Sequence, residues 1–472
     1  MCVLVSMCTC THSLRSCVHA CRMSRVCAAL CVPIGAIAYR EYRNANKNIT
    51  CRSFSEILSR PEICLQTRIY RFVRPIIFAI PPETAHISTI WLGSCIGELA
   101  RPVGMLIGGV RCLTARIADL CVGPSKISNC ATPNLSSVRF CGIDFAYILG
   151  ISAGFDKNAK LVKFFDTLVG RWNCFPIGHV EYGSVSYIPW AGNVKPRLFR
   201  LESDFALINR MGLNNEGAVV VADRVAQIRE KSIPSGINIT KTPDSKIEEN
   251  FAIEDFTTCF KFFQNNQPKW ITLNVSCPNT AEGKTFEDLE ALSLLLDSLA
   301  NTSEQTNEHL KKKPALLLKL APLPPKLNSH WEQEYTEIIL LAKSKGVDGL
   351  VIANTVPDRA MPLLNADVAE QKGGLSGKPI FNRSTPLIRL ANSLGMPVIA
   401  SGGISSANDA YQMLKAGATL CQIYTAMVYD GPGIFTDIQN GLERLFLIYG
   451  RPTHASEASV WAGTSNMSNA SV

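Results

Sequence analysis

In the second two-thirds of this 472-residue chain, short aliphatic or β-branched runs repeatedly end on a polar side chain or a glycine. The residues at those ends are Lys157, Ser184, Asn238, Asn274, Lys319, Asn354 with Thr355, Gly402-Gly403, and Tyr424-Thr425. Amide side chains offer donors and acceptors together, and a lysine offers a point cation to a carboxylate or a growing negative charge. Such groups are costly to bury unless something binds them. The glycines near 402 and the Tyr-Thr pair suit a phosphate, because backbone N–H groups backed by a helix N-terminus cradle an anion. The string Gly373-Gly374-Leu375-Ser376-Gly377-Lys378 looks faintly like a phosphate-binding P-loop, but its spacing is wrong and Pro379 follows the lysine. It reads as a glycine-rich loop where backbone approaches a ligand closely.

The elements that position these residues recur from about residue 145. The runs are 147–153, 179–184, 236–240, 270–276, 315–321, 349–355, 397–402 and 419–425, mostly continuous rather than alternating, as strands covered on both faces require. Amphipathic helical stretches lie between several of them, at 216–231, 286–299 and 331–345, and a last helix falls near 435–449. Eight β/α units in series predict an α/β fold of the TIM (β/α)8 barrel type, whose chemistry sits where strands end. Residues 171–176 read as an insertion before the second strand. No GxGxxG occurs, so a Rossmann nucleotide site is not supported.

Charge separates the chain into an arm and a body. The net charge is +8, and residues 1–80 carry 11 Lys/Arg against 3 Asp/Glu, leaving a neutral body with 36 of each. Nucleic-acid binders carry basic residues on the folded body, so no nucleic-acid partner is expected. Of 18 cysteines, seven lie in the first 31 residues; none forms a CxxC pair or a zinc-like set, so no metal is expected, and the rest read as reduced core residues. Residues 1–50, with no acid before Glu41, read as a mitochondrial targeting segment. The uncharged run 26–39 spans roughly 21 Å as a helix, short of a ~30 Å hydrocarbon core, so it is either a marginal anchor or part of the signal. Within the region 51–125, residues 62–110 read as two short amphipathic helices broken at Pro81-Pro82 and lying on a membrane surface. The barrel takes 126–450, and 451–472 form a tail.

Five strings in this order resemble the dihydroorotate dehydrogenases, the FMN barrels of pyrimidine synthesis. They are Ser152-Ala153-Gly154-Phe155-Asp156-Lys157-Asn158, Asn209-Arg210-Met211-Gly212-Leu213-Asn214, Asn274-Val275-Ser276-Cys277-Pro278-Asn279-Thr280, Gly373 to Pro379, and Gln422-Ile423-Tyr424-Thr425. The likeness covers about 62–450. Pro82-Glu83-Thr84-Ala85-His86 and Arg197-Leu198-Phe199-Arg200-Leu201 look like the quinone-using, membrane-bound class, which adds an N-terminal helical pair and usually a mitochondrial inner-membrane anchor. The resemblance implies that FMN is held by Ser152, Ala153, Gly154, Phe155, Asp156, Ser184, Asn238, Asn274, Lys319, Ala353, Gly377, Gly403, Tyr424 and Thr425. It implies that dihydroorotate meets Lys157, Asn209, Arg210, Met211, Gly212, Leu213, Asn274, Asn279, Asn354 and Thr355, and that His86 and Arg200 face the path of a quinone such as ubiquinone. Cys277 is then the base that takes the C5 proton while C6 gives up its hydride, forming orotate. Members of the quinone-using class typically carry serine there and the soluble class carries cysteine. A thiol of pKa ~8.5 acts as a base with less help than a hydroxyl. Fumarate as acceptor, or a tethered flavoprotein without turnover, are the competing expectations.

Overall fold

The structure, a computed structural model, describes residues 61–99, 136–171, 173–228, 232–244, 249–266, 268–276, 288–306, 313–324 and 329–452. The expected targeting arm, the C-terminal end of the 51–125 region, Cys277 with Asn279, and nearly all of the tail lie outside the described residues.

Thirteen strands occur in the described chain. A hairpin of β1 (Val138–Phe140) and β2 (Ile143–Phe145) leads into β3 (Leu149–Ile151) and β4 (Val180–Val185). Then come β5 (Leu198–Leu201), β6 (Ala206–Asn209), β7 (Ser235–Ile239), β8 (Trp270–Asn274), β9 (Ala315–Leu320) and β10 (Gly349–Ile352). The last three are β11 (Gly374–Gly377), β12 (Val398–Ser401) and β13 (Leu420–Ile423). Eight of them close in the order β10-β12-β13-β3-β4-β7-β8-β9, each parallel to its neighbours. Every residue of these eight is buried, which explains the unbroken apolar runs in the sequence. All eight coincide with the runs read from the sequence, and the chain folds as the expected TIM barrel.

Two helices precede the barrel, α1 (Pro61–Phe78) and α2 (Pro82–Glu98), with the chain turning between them at Pro81. The helices that cover the barrel wall include α3 (Ala218–Ala226), α4 (Glu249–Asn265), α5 (Leu289–Thr306), α6 (Trp331–Ser344) and α7 (Thr385–Ser393). They continue with α8 (Ala407–Ala416), the short α9 (Thr425–Asp430) and α10 (Ile434–Tyr449). Local chemistry sets their ends. The Ser406 hydroxyl accepts the Asp409 N–H at the start of α8, and Gly417 ends that helix at φ +117°, where a side chain would be strained. At the N-terminal end of the barrel, the β1/β2 hairpin acts as a plug: the Phe145 ring lies 5.5 Å from His179 and 6.0 Å from Trp270.

Two features cover the opposite, C-terminal mouth. A three-stranded antiparallel sheet, β11-β6-β5, sets Asn209 opposite both Leu198 and Gly374, and Ala206 opposite both Leu201 and Gly377. This sheet is absent from the sequence reading: its strands are four residues each and mix Arg, Asn, Ser and Gly into the apolar pattern. The second feature is the helical pair α1–α2. Tyr70 donates to the Val428 carbonyl and Arg74 Nη1 to that of Tyr429 at 3.1 Å, tying α1 to α9. Glu83 on α2 meets Arg197, beside β5, at 2.9 Å. On α2 a Cβ at Gly97 would come within 2.9 Å of the Phe164 backbone, so glycine permits the close approach of helix to barrel there. Phe72, Ile76, Ile87 and Trp91 are left exposed, Phe72 at 82% and Trp91 at 66%. No helix among the described residues is long and apolar enough to cross a membrane.

Candidate active site

The barrel mouth opens into a cleft with two lobes that share Ala153, Lys319, Asn354, Thr355, Ser376 and Tyr424. One lobe, of about 710 Å3, runs between the ends of β12 and β13 and under β11; it is lined among others by Ser152, Ala353, Gly377, Gly403 and Thr425. The other, of about 850 Å3, lies beneath α2 and β6; it is lined among others by His86, Gly154, Lys157, Ser184, Asn209, Met211, Gly212, Leu213 and Asn274.

The first lobe has the character of a phosphate cradle. Gly377 sits at φ +99°, and a Cβ there would overlap the Phe205 carbonyl oxygen and lie 2.9 Å from Thr425. Gly403, at φ +76°, would push a Cβ to 2.5 Å from the Phe381 Cα. Both positions therefore require glycine, and both bring backbone to the cleft. Beside them α9 begins at Thr425, which lines the lobe, and the Thr425 hydroxyl lies 2.8 Å from that of Ser376. Burial pushes the Tyr424 phenol up to about 12, so it stays a neutral hydrogen-bonding group.

Lys319 and the asparagines form the floor and the far wall. Lys319 lies on β9 directly across from Asn274 on β8, and both are buried. Asn274 Nδ2 donates to Ser184 Oγ at 3.0 Å, and Asn354 Nδ2 donates to Asn274 Oδ1 at 3.3 Å. The Asn354 amide also reaches the Ser276 carbonyl at 3.3 Å. Lys157 Nζ donates to Asn214 Oδ1 at 2.9 Å, which fixes it against the loop 209–214, and Asn209 Nδ2 donates to the Gly374 carbonyl at 3.3 Å, which fixes it against β11.

α2 supplies the roof through His86. Its ring packs edge-on against Phe155 at 5.5 Å and Tyr424 at 6.4 Å. Burial, helped by the nearby Lys157 charge, holds its imidazole down at about 4, so it is neutral at pH 7. The helix is locked by Glu83. Burial works against ionisation of that carboxyl, but Arg197, with Lys195 beside it, outweighs burial and holds it below the usual range.

Several expected residues stand behind the lining rather than in it. The Asp156 carboxylate caps the turn that follows, accepting the N–H groups of Lys160 at 3.0 Å and Leu161 at 2.7 Å; burial pushes it up to about 6 against those two donors. Phe155 backs His86 and Tyr424. Asn238 lies beneath Ser184 with both ends of its amide in use. Arg210 stacks on Phe199 at 4.6 Å and donates to Gln371 and to the Lys372 carbonyl, shaping the loop before β11. Arg200 donates to the Phe78 and Ile80 carbonyls at 3.0 Å, closing the C-terminal end of α1. Ser376, Ser401 and Gln422 line the cleft without a role assigned from the sequence, although Ser376 and Gln422 lie in the matching strings and Gln422 interrupts an otherwise buried apolar run. A second such interruption is Glu181, fully buried near the start of β4.

The sequence model of one family, dihydroorotate dehydrogenase, matches residues 135–446. The chain belongs to the dihydroorotate dehydrogenase family. It is 35% identical over 381 residues to a dihydroorotate dehydrogenase (quinone) of Deinococcus radiodurans, covering 80% of this chain and 96% of that one. A dihydroorotate dehydrogenase (quinone) of Haloarcula marismortui is 32% identical over 379 residues, with 80% and 95% covered. The crystal structure of DHODH from Eimeria tenella in complex with ferulenol superposes with a TM-score of 0.64 at 28% identity, covering 80% of this chain and 96% of that one. Membership in the dihydroorotate dehydrogenases makes this barrel an enzyme. Its cleft lies where such barrels hold their chemistry.

Proposed function

We propose that this enzyme oxidises dihydroorotate to orotate with FMN as cofactor, in the synthesis of UMP, and passes the electrons to a membrane quinone such as ubiquinone. The observation that carries this reading is the two-lobed cleft itself: a glycine-walled anion cradle at one end, an amide-lined chamber with Lys157 at the other, and Lys319 shared between them. A phosphate-bearing flavin fits the first lobe, because Gly377 and Gly403, packed against the Phe205 and Phe381 backbone in conformations open to little but glycine, bring bare main chain to its wall, and the start of α9 beside them favours an anion. When bound, FMN supplies the acceptor for the two electrons that leave C6 of the substrate.

The chain's own residues do the rest. Ser152, Ala153, Gly154, Ser184, Asn274, Ala353, Tyr424 and Thr425 line the cavity that takes the cofactor, with Asn238, Phe155 and Asp156 bracing it from behind. Lys319, shared by both lobes, would offer its ammonium to the negative charge that a bound flavin gains on reduction. Lys157 pairs with the substrate carboxylate, and Asn209, Asn274, Asn279, Asn354 and Thr355 address the ring's imide groups, supported by 210–213. Cys277 removes the C5 proton. Neutral His86 keeps the roof apolar where a quinone arrives, and Arg200 holds α1 against that path. The exposed apolar faces of α1 and α2 suit a membrane surface. The basic arm before residue 50 suits import to the mitochondrial inner membrane.

The test is anaerobic addition of dihydroorotate to protein truncated before about residue 50 in mild detergent, followed by ubiquinone or fumarate separately. Flavin absorbance near ~450 nm should bleach, and should recover only with quinone. Recovery only on fumarate would move the enzyme to the soluble class that Cys277 resembles. Cys277→Ala should retain FMN yet lose bleaching at neutral pH; full bleaching in that variant would remove Cys277 from the role of base.

A further inference from the structure

Glu181 has no place in the reaction just described, yet among the described residues it is the most enclosed carboxylate of the barrel interior. It lies on β4, fully buried, as do Asn238 on β7 and Gln422 on β13. Each carboxylate oxygen accepts one amide: Oε1 from Asn238 Nδ2 at 2.8 Å, Oε2 from Gln422 Nε2 at 2.7 Å. With its Nδ2 committed downward, Asn238 turns Oδ1 upward, where Ser184 Oγ donates to it. The Ser184 proton is thereby used, so its lone pairs accept Asn274 Nδ2. Asn274 Oδ1 then accepts Asn354 Nδ2, and Asn354 Oδ1 accepts the Thr355 N–H at 2.9 Å. Every hydrogen bond in this series points back toward Glu181.

We infer that Glu181 is a positioning residue that sets the polarity of the cleft floor, deciding which faces of Ser184, Asn274 and Asn354 offer donors and which offer acceptors. The inference rests on the flavin and dihydroorotate reading above. An amide has a donor end and an acceptor end of nearly equal size, so packing alone does not choose between them. A carboxylate accepts at both oxygens and donates from neither, and one such group at the root of a hydrogen-bonded series removes the choice at every later member. A glutamine at 181 has the same shape but accepts at one end only. Its nitrogen must face one neighbour. Facing Asn238, it meets donor to donor or turns Asn238 over and reverses the order through Ser184 and Asn274. Facing Gln422, it turns that amide over, whose Oε1 has no partner to lose, and leaves Asn238 anchored on an uncharged oxygen that accepts more weakly.

The experiment compares full-length wild type, Glu181→Gln, Asn238→Asp and the double variant. In the double variant the new amide at position 181 donates to the new carboxylate at position 238 and accepts from Gln422. The second oxygen of that carboxylate still accepts from Ser184. The original polarity above position 238 is restored with the same net charge. In Glu181→Gln the dissociation constant for FMN, read by quenching of flavin fluorescence, should rise roughly ten-fold or more, and KM for dihydroorotate at saturating FMN should rise similarly. Asn238→Asp places two carboxylates face to face and should melt lowest. The double variant should recover most of the loss in FMN affinity, KM and apo-protein melting temperature. A role in packing alone would leave KM at saturating FMN unchanged in the near-isosteric Glu181→Gln, and that result would overturn the inference. So would a double variant no better than the two single losses combined. Wild type that takes up no FMN would remove the flavin reading. The polarity claim would then stand or fall on whether the melting temperature recovers in the double apo-protein.

Discussion

His179 shows what a single residue can cost the barrel. It is fully buried, neither ring nitrogen has a hydrogen-bond partner, and burial holds the imidazole down at about 3. Its neighbours are the Phe145 and Trp270 rings, and Gly150 faces it, where a Cβ would overlap the imidazole. An unfolded histidine titrates near ~6.5. Between that value and about 3 the unfolded chain binds a proton at this site that the folded chain does not, so stability is full above the window and falls as pH drops through it. His86, held at about 4, adds a term of the same sign. His179→Phe should therefore raise the melting temperature, and by more at pH 5 than at pH 8, the difference amounting to about 2 kcal/mol. Thermal melts at both pH values read it; a gain independent of pH would mean that packing, not protonation, dominates. Residues of this kind were legible only as anomalies. Glu181 and Gln422 are polar residues inside strands that are otherwise apolar, and burial without a partner would cost too much to be accidental. Their meaning came only from the geometry that places them against each other, because the partners are 241 residues apart in sequence. Asp156 and Arg210 carried the opposite lesson: a motif names a residue without saying whether its side chain faces the cleft or braces what does.

At the scale of elements, the barrel strands could be read because both faces of each are buried, which writes a continuous apolar run into the sequence. The helical pair could be read from its 3.6-residue periodicity and its prolines. The β11-β6-β5 sheet could not, since four-residue strands with one face on the cleft carry no such pattern. Arg197 connects that sheet to the helical pair. Its guanidinium meets Glu83 and the carbonyls of Ala191 at 2.7 Å and Asn193 at 2.9 Å, with little of either charged side chain exposed. Removing one partner of a buried pair leaves the other charge uncompensated, which costs about 3–5 kcal/mol. Glu83→Ala should thus loosen α2 while leaving the barrel floor intact. Dihydroorotate should still bleach the flavin at close to the wild-type rate, whereas recovery on adding quinone should slow, with a higher KM for quinone. Equal loss in both half-reactions would show that α2 supports the whole cleft rather than its roof.

For the whole molecule, the neutral body and the basic arm are plain from charge counting, and the order of strands around the barrel follows from eight β/α units in series. What counting cannot give is how far the fold depends on what it binds. Lys319, Asn274 and Ser184 are buried at the C-terminal mouth, and Gly377 and Gly403 hold backbone there in conformations open to little but glycine. A ligand that binds only the folded state stabilises it by about 2.7 kcal/mol at a concentration one hundred times its dissociation constant. If α9 and the two glycines hold a phosphate, most of that gain depends on the phosphate and not on the ring. FMN should raise the melting temperature of the apo-protein by several degrees, and riboflavin at the same concentration, which has the ring and ribityl chain but no phosphate, by much less. The difference should shrink as salt screens the anion. Gly403→Ala, whose Cβ would press on the Phe381 backbone, should lower the FMN shift toward that of riboflavin. Equal shifts from FMN and riboflavin in the unaltered protein would place the phosphate outside this lobe and require a different assignment for the cleft beneath β11.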